Sequence, residues 1–104
     1  MGTEVVERAA EHRFEIVVDG KVAGFSEYHD RAGRRAFMHT EIDPGYEGQG
    51  LASQLVRFEL DDARSHGMPV LPYCPFVRSY IARHRDDYID LVPDTEREEF
   101  DLAG

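Results

Sequence analysis

A glycine-rich hexapeptide, Glu47-Gly48-Gln49-Gly50-Leu51-Ala52, is the stretch of this chain whose residue types and position best suit a chemical role. It follows a strand-like alternation over residues 36–42 and precedes a strongly amphipathic helical pattern. A glycine turn that opens a helix leaves several backbone N–H groups unpaired at the positive end of the helix dipole. Because such groups bind phosphate or pyrophosphate, the sequence predicts a site for a phosphorylated cofactor.

Two familiar classes of phosphate site do not fit this loop. A Walker loop needs lysine and then Ser or Thr after its glycines, whereas Leu51-Ala52 follow here and the only lysine is Lys21. This excludes an NTPase. The spacing Gly48-x-Gly50-x-x-Ser53 resembles a dinucleotide fingerprint with serine as its third glycine. That fold needs repeated parallel units, and 104 residues that begin with antiparallel strands leave no room for them.

The elements that must position the loop can be read from periodicity and turn residues. Alternating apolar residues over 13–18, the turn Asp19-Gly20 and a return strand over 21–28 predict a β-hairpin. A third strand over 35–42 completes an antiparallel meander. Val5-Val6 fits either an edge strand or a short helix.

The second half of the chain alternates helix and strand. A helix over 50–66 ends at Gly67, and a short edge strand over Val70–Cys74 leads into a helix that begins near Pro75. The strand, helix, strand order is a β-α-β unit, so the 70–74 strand should run parallel to the 35–42 strand. We therefore predict an α+β fold with a mixed, mostly antiparallel sheet. The helix should expose a polar stripe formed by Gln54, Arg57, Asp61 and Arg64.

Composition indicates a single domain over residues 1–104 in the cytoplasm. One cysteine excludes an internal disulfide framework, and neither a secretory signal nor a membrane-spanning apolar run is present. The net charge of −9 is concentrated between Asp86 and Asp101, which hold eight acidic residues and one basic residue. That acidity suggests a solvated face or a frayed segment over 93–104, with a cation-attracting rim as the alternative. Thr95 and Glu98 fit a capping box for a last helix, and no basic stripe suggests nucleic-acid binding.

The hexapeptide is similar to the acyl-CoA pyrophosphate loop of the GNAT superfamily of acetyl-CoA-dependent N-acetyltransferases. Gly50 and Ala52 match that loop's pattern, while Glu47 departs from its usual Gln or Arg. Further segments resemble the short YidJ-type branch of the superfamily, and together they span most of residues 13–92. They are Val18-Asp19-Gly20, His39-Thr40-Glu41-Ile42, Tyr73-Cys74-Pro75-Phe76-Val77 and Tyr80-Ile81-x-x-His84.

This resemblance implies a minimal GNAT-like fold whose central β-α-β unit has splayed strands. It implies that acetyl-CoA is the acyl donor and that a small-molecule or protein amine is the acceptor, in a monomer or weak dimer with no metal and no membrane contact. Pantetheine would pair with backbone groups of His39, Thr40, Glu41 and Ile42. The pyrophosphate would meet backbone N–H groups of Gln49, Gly50, Leu51, Ala52 and Ser53.

Three side chains are the catalytic candidates. Cys74 stands where the resemblance places an asparagine, and it either accepts the acyl group or only lines the pocket as a small buried residue. His39, with Glu41 two residues on, suits a general base or a hydrogen-bonded strand residue. Tyr80 suits an acid for the leaving thiolate or a packed aromatic residue. The alternative function is a non-catalytic acyl-CoA-binding or partner-recognition module.

Overall fold

The chain, described over residues 2–104 in a computed structural model, folds as a five-stranded sheet with helices packed on one side. Strands lie in the order β1-β2-β3-β4-β5, antiparallel from β1 to β4 and parallel between β4 and β5. This is the predicted α+β fold with a mixed, mostly antiparallel sheet. The strands are β1 (Thr3–Arg8), β2 (Arg13–Val18), β3 (Lys21–Arg31), β4 (Arg34–Ile42) and β5 (Val70–Pro72), and the helices are α1 (Leu51–Ser65), α2 (Pro75–Arg83) and α3 (Arg85–Tyr88).

The hairpin between β2 and β3 has the predicted turn. Asp19 and Gly20 have φ angles of 49° and 83°, the left-handed values that a tight two-residue turn requires. The N-terminal segment, which the sequence left open, is an edge strand in register with β2, with Val5 opposite Ile16.

The β-α-β unit of β4, α1 and β5 is also as predicted, with β5 parallel to β4 at the edge of the sheet. β5 ends at Pro72, two residues earlier than the sequence suggested. The helix α1 ends before Gly67, whose φ of 65° is left-handed, and its four-residue polar stripe is exposed. Its opposite side lies against β2, β3 and β4. None of the helices over residues 2–104 is long and apolar enough to cross a membrane.

A register shift lies between β3 and β4. Glu27 pairs with His39, whereas Tyr28 pairs with Phe37, so Met38 is an extra residue on β4. After the extra residue, the β4 side chains that face the helices are the ones that would otherwise face the opposite side of the sheet. Phe37 faces the helices before the bulge, and Thr40 faces them after it, where it contacts Ser26 and Cys74.

The C-terminal segment differs from the frayed tail and capped helix that the sequence suggested. Phe100 and Leu102 are each 1% exposed and belong to the core. The capping box predicted at Thr95 and Glu98 is wrong, because that region forms only a three-residue 3₁₀ turn over Asp94–Glu96. The backbone instead turns back, with the N–H of Leu102 donating to the carbonyl of Arg97, and this brings the two apolar side chains inward.

Candidate active site

The glycine loop presents backbone N–H groups at the start of α1. Gly48 and Gly50 have left-handed φ angles of 81° and 73°, a conformation that costs glycine little. Gly50 is the N-cap of α1, and it supplies no side chain to satisfy the first-turn N–H groups. A Cβ atom at either glycine would meet nothing within 4 Å. The loop therefore holds unpaired donors next to open space, which suits an anion.

A cavity of about 270 Å³ connects this loop to the end of β4 and to α2. Larger cavities lie elsewhere, including one of about 460 Å³ between β1 and α1. The smaller cavity is the better candidate, because it adjoins both the N-terminus of α1 and Ile42, at the end of the free edge of β4. Its lining residues are Ile42, Tyr46, Glu47, Gly48, Gly50, Leu51, Ala52, Ser53 and Phe76.

The edge of β4 that faces β5 is open over its second half. The pairing of β4 with β5 runs from Arg35 opposite Val70 to Phe37 opposite Pro72. The last contact between these segments is the N–H of Cys74 donating to the carbonyl of Phe37 at 2.8 Å. Over residues 39–42 β4 pairs with β3 alone. This splay leaves a gap in which an extended, amide-containing ligand can pair like an added strand.

His39 and Glu41 form a polar pair on the side of β4 that faces away from α1. Nε2 of His39 lies 3.0 Å from Oε1 of Glu41, and both side chains are 54% exposed. The imidazole ring lies 5.9 Å from the ring of Phe25, and Glu27 is opposite His39 in the β3–β4 register. The pair can take a proton from a group that approaches from solvent.

Cys74 is the N-cap residue of α2, and its side chain is the first of four polar side chains that contact one another in turn. Its side chain is 3% exposed, and its thiol donates to Oγ1 of Thr40 at 3.4 Å. Oγ1 of Thr40 lies 3.3 Å from Oγ of Ser26, which donates to Oε2 of Glu59 at 3.1 Å. Burial raises the pKa of Glu59 well above its ordinary value, because desolvation outweighs the Ser26 hydrogen bond and the Arg35 charge.

Glu59 and Ser26 were not among the residues predicted from the sequence, although the sequence carries a signal for Glu59. Glu59 lies four residues after Leu55 and four before Ala63, within the apolar side of α1. An acidic residue on that side must be buried, so its spacing alone marks it as unusual. Ser26 had no comparable signal, because one serine in a strand is common.

Tyr80 is buried on α2 and packs against aromatic side chains. Its ring stacks on His84 with centroids 4.2 Å apart and lies 5.9 Å from the ring of Tyr88. The structure therefore brings Cys74 and Thr40 together and places His39 with Glu41, but it surrounds the Tyr80 ring with other aromatic residues. Within residues 2–104, no cluster of three or more acidic, cysteine or histidine side chains is arranged to hold a metal ion.

Comparison with solved structures supports the fold assignment. A GCN5-like protein from Staphylococcus aureus, solved by NMR, superimposes with a TM-score of 0.64 at 20% identity, covering 86% of this chain and 87% of its own. The ribosomal-protein-S18-alanine N-acetyltransferase from Escherichia coli gives a TM-score of 0.53 at 21% identity, covering 67% of this chain. The ribosomal-protein-alanine N-acetyltransferase from Brucella melitensis biovar Abortus 2308 gives 0.54 at 23% identity, covering 78% of this chain.

Length and sequence complete the comparison. The chain spans 42% of the E. coli enzyme and 60% of the Brucella enzyme. A search of curated protein sequences finds no match. A sequence profile described as GCN5-related N-acetyl-transferase matches residues 13–91, most of the chain. The chain therefore belongs to the GCN5-related N-acetyltransferase family.

Proposed function

We propose that this protein binds acetyl-CoA between β4 and α2 and transfers the acetyl group to a primary amine. The observation that carries the proposal is the continuity of two features along one cavity. A glycine loop with free N–H groups lines the cavity, and so does Ile42, the last residue on the unpaired edge of β4. A phosphate-bearing ligand with an extended amide arm matches both features, and acetyl-CoA is such a ligand.

The pyrophosphate is assigned to the backbone N–H groups of residues 49–53. These donors are held by the start of α1, so they need no reorganisation when the anion arrives. The pantetheine arm is assigned to the backbone of His39, Thr40, Glu41 and Ile42, where β4 has no second neighbouring strand. This orientation brings the thioester toward Cys74.

Replacing Ala52 with glutamate is expected to weaken acetyl-CoA binding by at least about tenfold, or about 1.4 kcal/mol. Ala52 lines the cavity in the first turn of α1, so a carboxylate there would repel the pyrophosphate. The same charge favours the helix dipole, so folding stability should hold or rise slightly. Isothermal titration calorimetry measures the affinity, and thermal unfolding measures the stability.

Gln54→Glu is the matched control for this change. Gln54 belongs to the same turn but lines the separate groove between β1 and α1. It adds the same charge away from the cavity, so acetyl-CoA affinity should remain near that of wild type. Equal loss of affinity in both variants would count against the assigned phosphate site.

The chemical step is assigned to the thioester end of the cavity. The amine attacks the thioester carbonyl, and the exposed His39–Glu41 pair takes the proton that the amine must lose. The two carboxylates near His39, Glu41 beside it and Glu27 opposite it, favour an acceptor that carries positive charge before it is deprotonated. The E. coli and Brucella enzymes are named for ribosomal-protein alanine, so protein amines belong in the acceptor screen together with small amines.

Two measurements test the function itself. Acetyl-CoA at one hundred times its Kd should stabilise the native protein by about 2.7 kcal/mol through mass action, and an unchanged melting temperature would contradict cofactor binding. A screen of amines and peptides should then show release of free CoA that depends on the acceptor. Binding without turnover across the screen would instead indicate a non-catalytic acyl-CoA-binding module.

A further inference from the structure

We propose that the Cys74 thiol protonates the departing CoA thiolate, and that Glu59 restores the thiol's proton through Ser26 and Thr40. We call these four residues the proton line. Glu59 and Ser26 act through other residues, so they are positioning residues. Cys74 is the member that would contact the reacting sulfur atom.

The proton line is continuous from Cys74, which precedes α2 and is 3% exposed, to the buried carboxyl of Glu59. Its successive heavy-atom distances are 3.4 Å from Cys74 to Thr40, 3.3 Å from Thr40 to Ser26 and 3.1 Å from Ser26 to Glu59. The two middle groups are hydroxyls, which rotate and can each donate one hydrogen bond while accepting another. The successive hydrogen bonds can therefore all be donated toward Glu59 or all be donated toward Cys74.

Glu59 is the group at the inner end of the proton line that can supply a proton to Cys74. Its side chain is fully buried, and its Oε1 atom has no hydrogen-bond partner in the described part of the chain. Removal from water favours the neutral acid, so the pKa of Glu59 is raised in the direction of a thiol's pKa. A neutral carboxyl can donate a proton to Ser26, whereas a carboxylate can only accept one.

The charged groups around the line are consistent with this direction of transfer. Arg35 of β4 is the cation that acts on Glu59, and it is paired with Asp30 of β3 and Asp62 of α1. Its positive charge would offset a carboxylate formed at Glu59. At the other end, the guanidinium of Arg78 on α2 is bonded to the backbone carbonyls of Pro72 and Tyr73.

The transfer balances without any added reactant. When the new C–N bond forms and the C–S bond breaks, the CoA sulfur leaves with the bonding electron pair as a thiolate. The Cys74 thiol gives this sulfur its proton and receives one from Thr40. Thr40 receives a proton from Ser26, and Ser26 receives one from Glu59. Glu59 is left as a carboxylate. Once CoA has left, solvent water supplies a proton to Cys74, and the same groups pass a proton inward to Glu59.

The inference rests on the proposed function, because the line is useful only where a thiolate forms. The test is made on the protein without acetyl-CoA, where no acyl transfer occurs, so that its result does not depend on the proposed function. The chain has one cysteine, so carbon-13 labelling at cysteine Cβ yields a single NMR signal that reports ionisation of Cys74. In wild-type protein we expect this signal to respond to the ionisation of Glu59 as well as to that of the thiol, because a continuous line of hydrogen bonds joins the two groups.

Two variants separate the line from its surroundings. Glu59→Gln keeps the shape of the side chain and removes its ionisation, so a single titration step should remain. Its midpoint should be displaced by about one pH unit, which is about a tenfold change in the thiolate fraction. Ser26→Ala keeps both ionisable ends and removes the bridge, so the coupling should fall. Ser65→Ala, which removes an exposed hydroxyl from α1, is the control and should titrate like wild type.

Several outcomes would overturn the inference. If the wild-type titration fits one step and superimposes on that of Glu59→Gln, the ionisation of Cys74 is not coupled to that of Glu59. Undiminished coupling in Ser26→Ala shows that it runs through space. If either variant fails to fold, the carboxyl carbon signal of Glu59 is titrated in wild-type protein before and after alkylation of Cys74, and an unchanged midpoint refutes the line. A wild-type protein that shows coupling but no acetyl transfer would contradict the proposed function alone.

Discussion

Replacing Glu59 with glutamine is expected to remove a loss of folding stability that the wild-type protein shows as the pH rises above about 4.5. Burial raises the pKa of Glu59 well above its ordinary value of 4.5 in the folded state. Above that pH the unfolded chain releases the proton, while the folded chain keeps it. Unfolding then releases one proton, so the free energy of unfolding falls by about 1.4 kcal/mol per pH unit until the folded pKa is reached.

The sign of this dependence is opposite to that of most acidic groups. For Glu59 the stabilising contribution is complete below the unfolded pKa and is lost as the pH rises through the folded pKa. For Glu15, burial raises the pKa, but hydrogen bonds from Arg13 and Arg8 outweigh burial and lower it. Glu15 therefore contributes stability that is present above the unfolded pKa and is lost in acid.

Urea unfolding at a series of pH values measures this dependence. Glu59→Gln should show a flatter profile than wild type above about pH 4.5, since glutamine carries no proton to release. Glu15→Gln is the control, because it should lower stability near neutral pH and leave the slope above 4.5 in place. Parallel profiles for wild type and Glu59→Gln in this range would show that Glu59 ionises freely in the folded protein.

The loss of folding stability caused by the buried carboxyl of Glu59 is explained if Glu59 takes part in the proposed acyl transfer. An unpaired buried carboxyl oxygen costs about 1–3 kcal/mol relative to a satisfied one, and an apolar residue would fit between Leu55 and Ala63 without that cost. Glu59 lies next to Ser26, at the inner end of the line of hydrogen bonds that begins at Cys74. The proposed proton line explains both the presence of a glutamate and its position. It predicts that variants at position 59 that stabilise the fold change the ionisation of the Cys74 thiol.

The main elements of the fold were predictable, because their signals are local. The Asp19-Gly20 turn, the amphipathic pattern of α1 and the glycine loop each depend on residues close together in sequence. The β4–β5 pairing followed from the handedness of β-α-β units rather than from any side chain. The backbone geometry of the glycine loop in the candidate site was predictable for the same reason.

The features that could not be predicted depend on register and on packing between distant segments. A continuous strand over 35–42 fits the apolar alternation, so nothing in it reveals the bulge at Met38. The bulge turns Thr40 toward the helices, and only then can Thr40 meet Ser26 and Cys74. Phe100 was hidden in a similar way, because a strongly acidic segment masks one aromatic residue that reaches the core.

Replacing Gly24 with alanine is expected to destabilise the protein by roughly 3 kcal/mol and to weaken acetyl-CoA binding. Gly24 pairs with Ile42 across β3 and β4. A Cβ atom at Gly24 would lie 2.6 Å from the carbonyl oxygen of Glu41, 2.6 Å from Cδ1 of Ile42 and 3.2 Å from its Cα. Two of these atoms belong to the backbone, so β4 itself must move, at the place where the pantetheine arm is assigned.

The control for this change is Gly67→Ala, beyond the end of α1. Gly67 has a φ of 65° with open space around its Cβ position, so alanine there costs about 1 kcal/mol through backbone strain alone. Urea unfolding gives the stability of both variants, and calorimetry under conditions where each is folded gives the acetyl-CoA affinity. Gly67→Ala should bind like wild type. Because Gly24 touches β4 and not the glycine loop, lost affinity in Gly24→Ala would locate part of the binding energy on the open edge of that strand, whereas unchanged affinity would remove β4 from the proposed cofactor site.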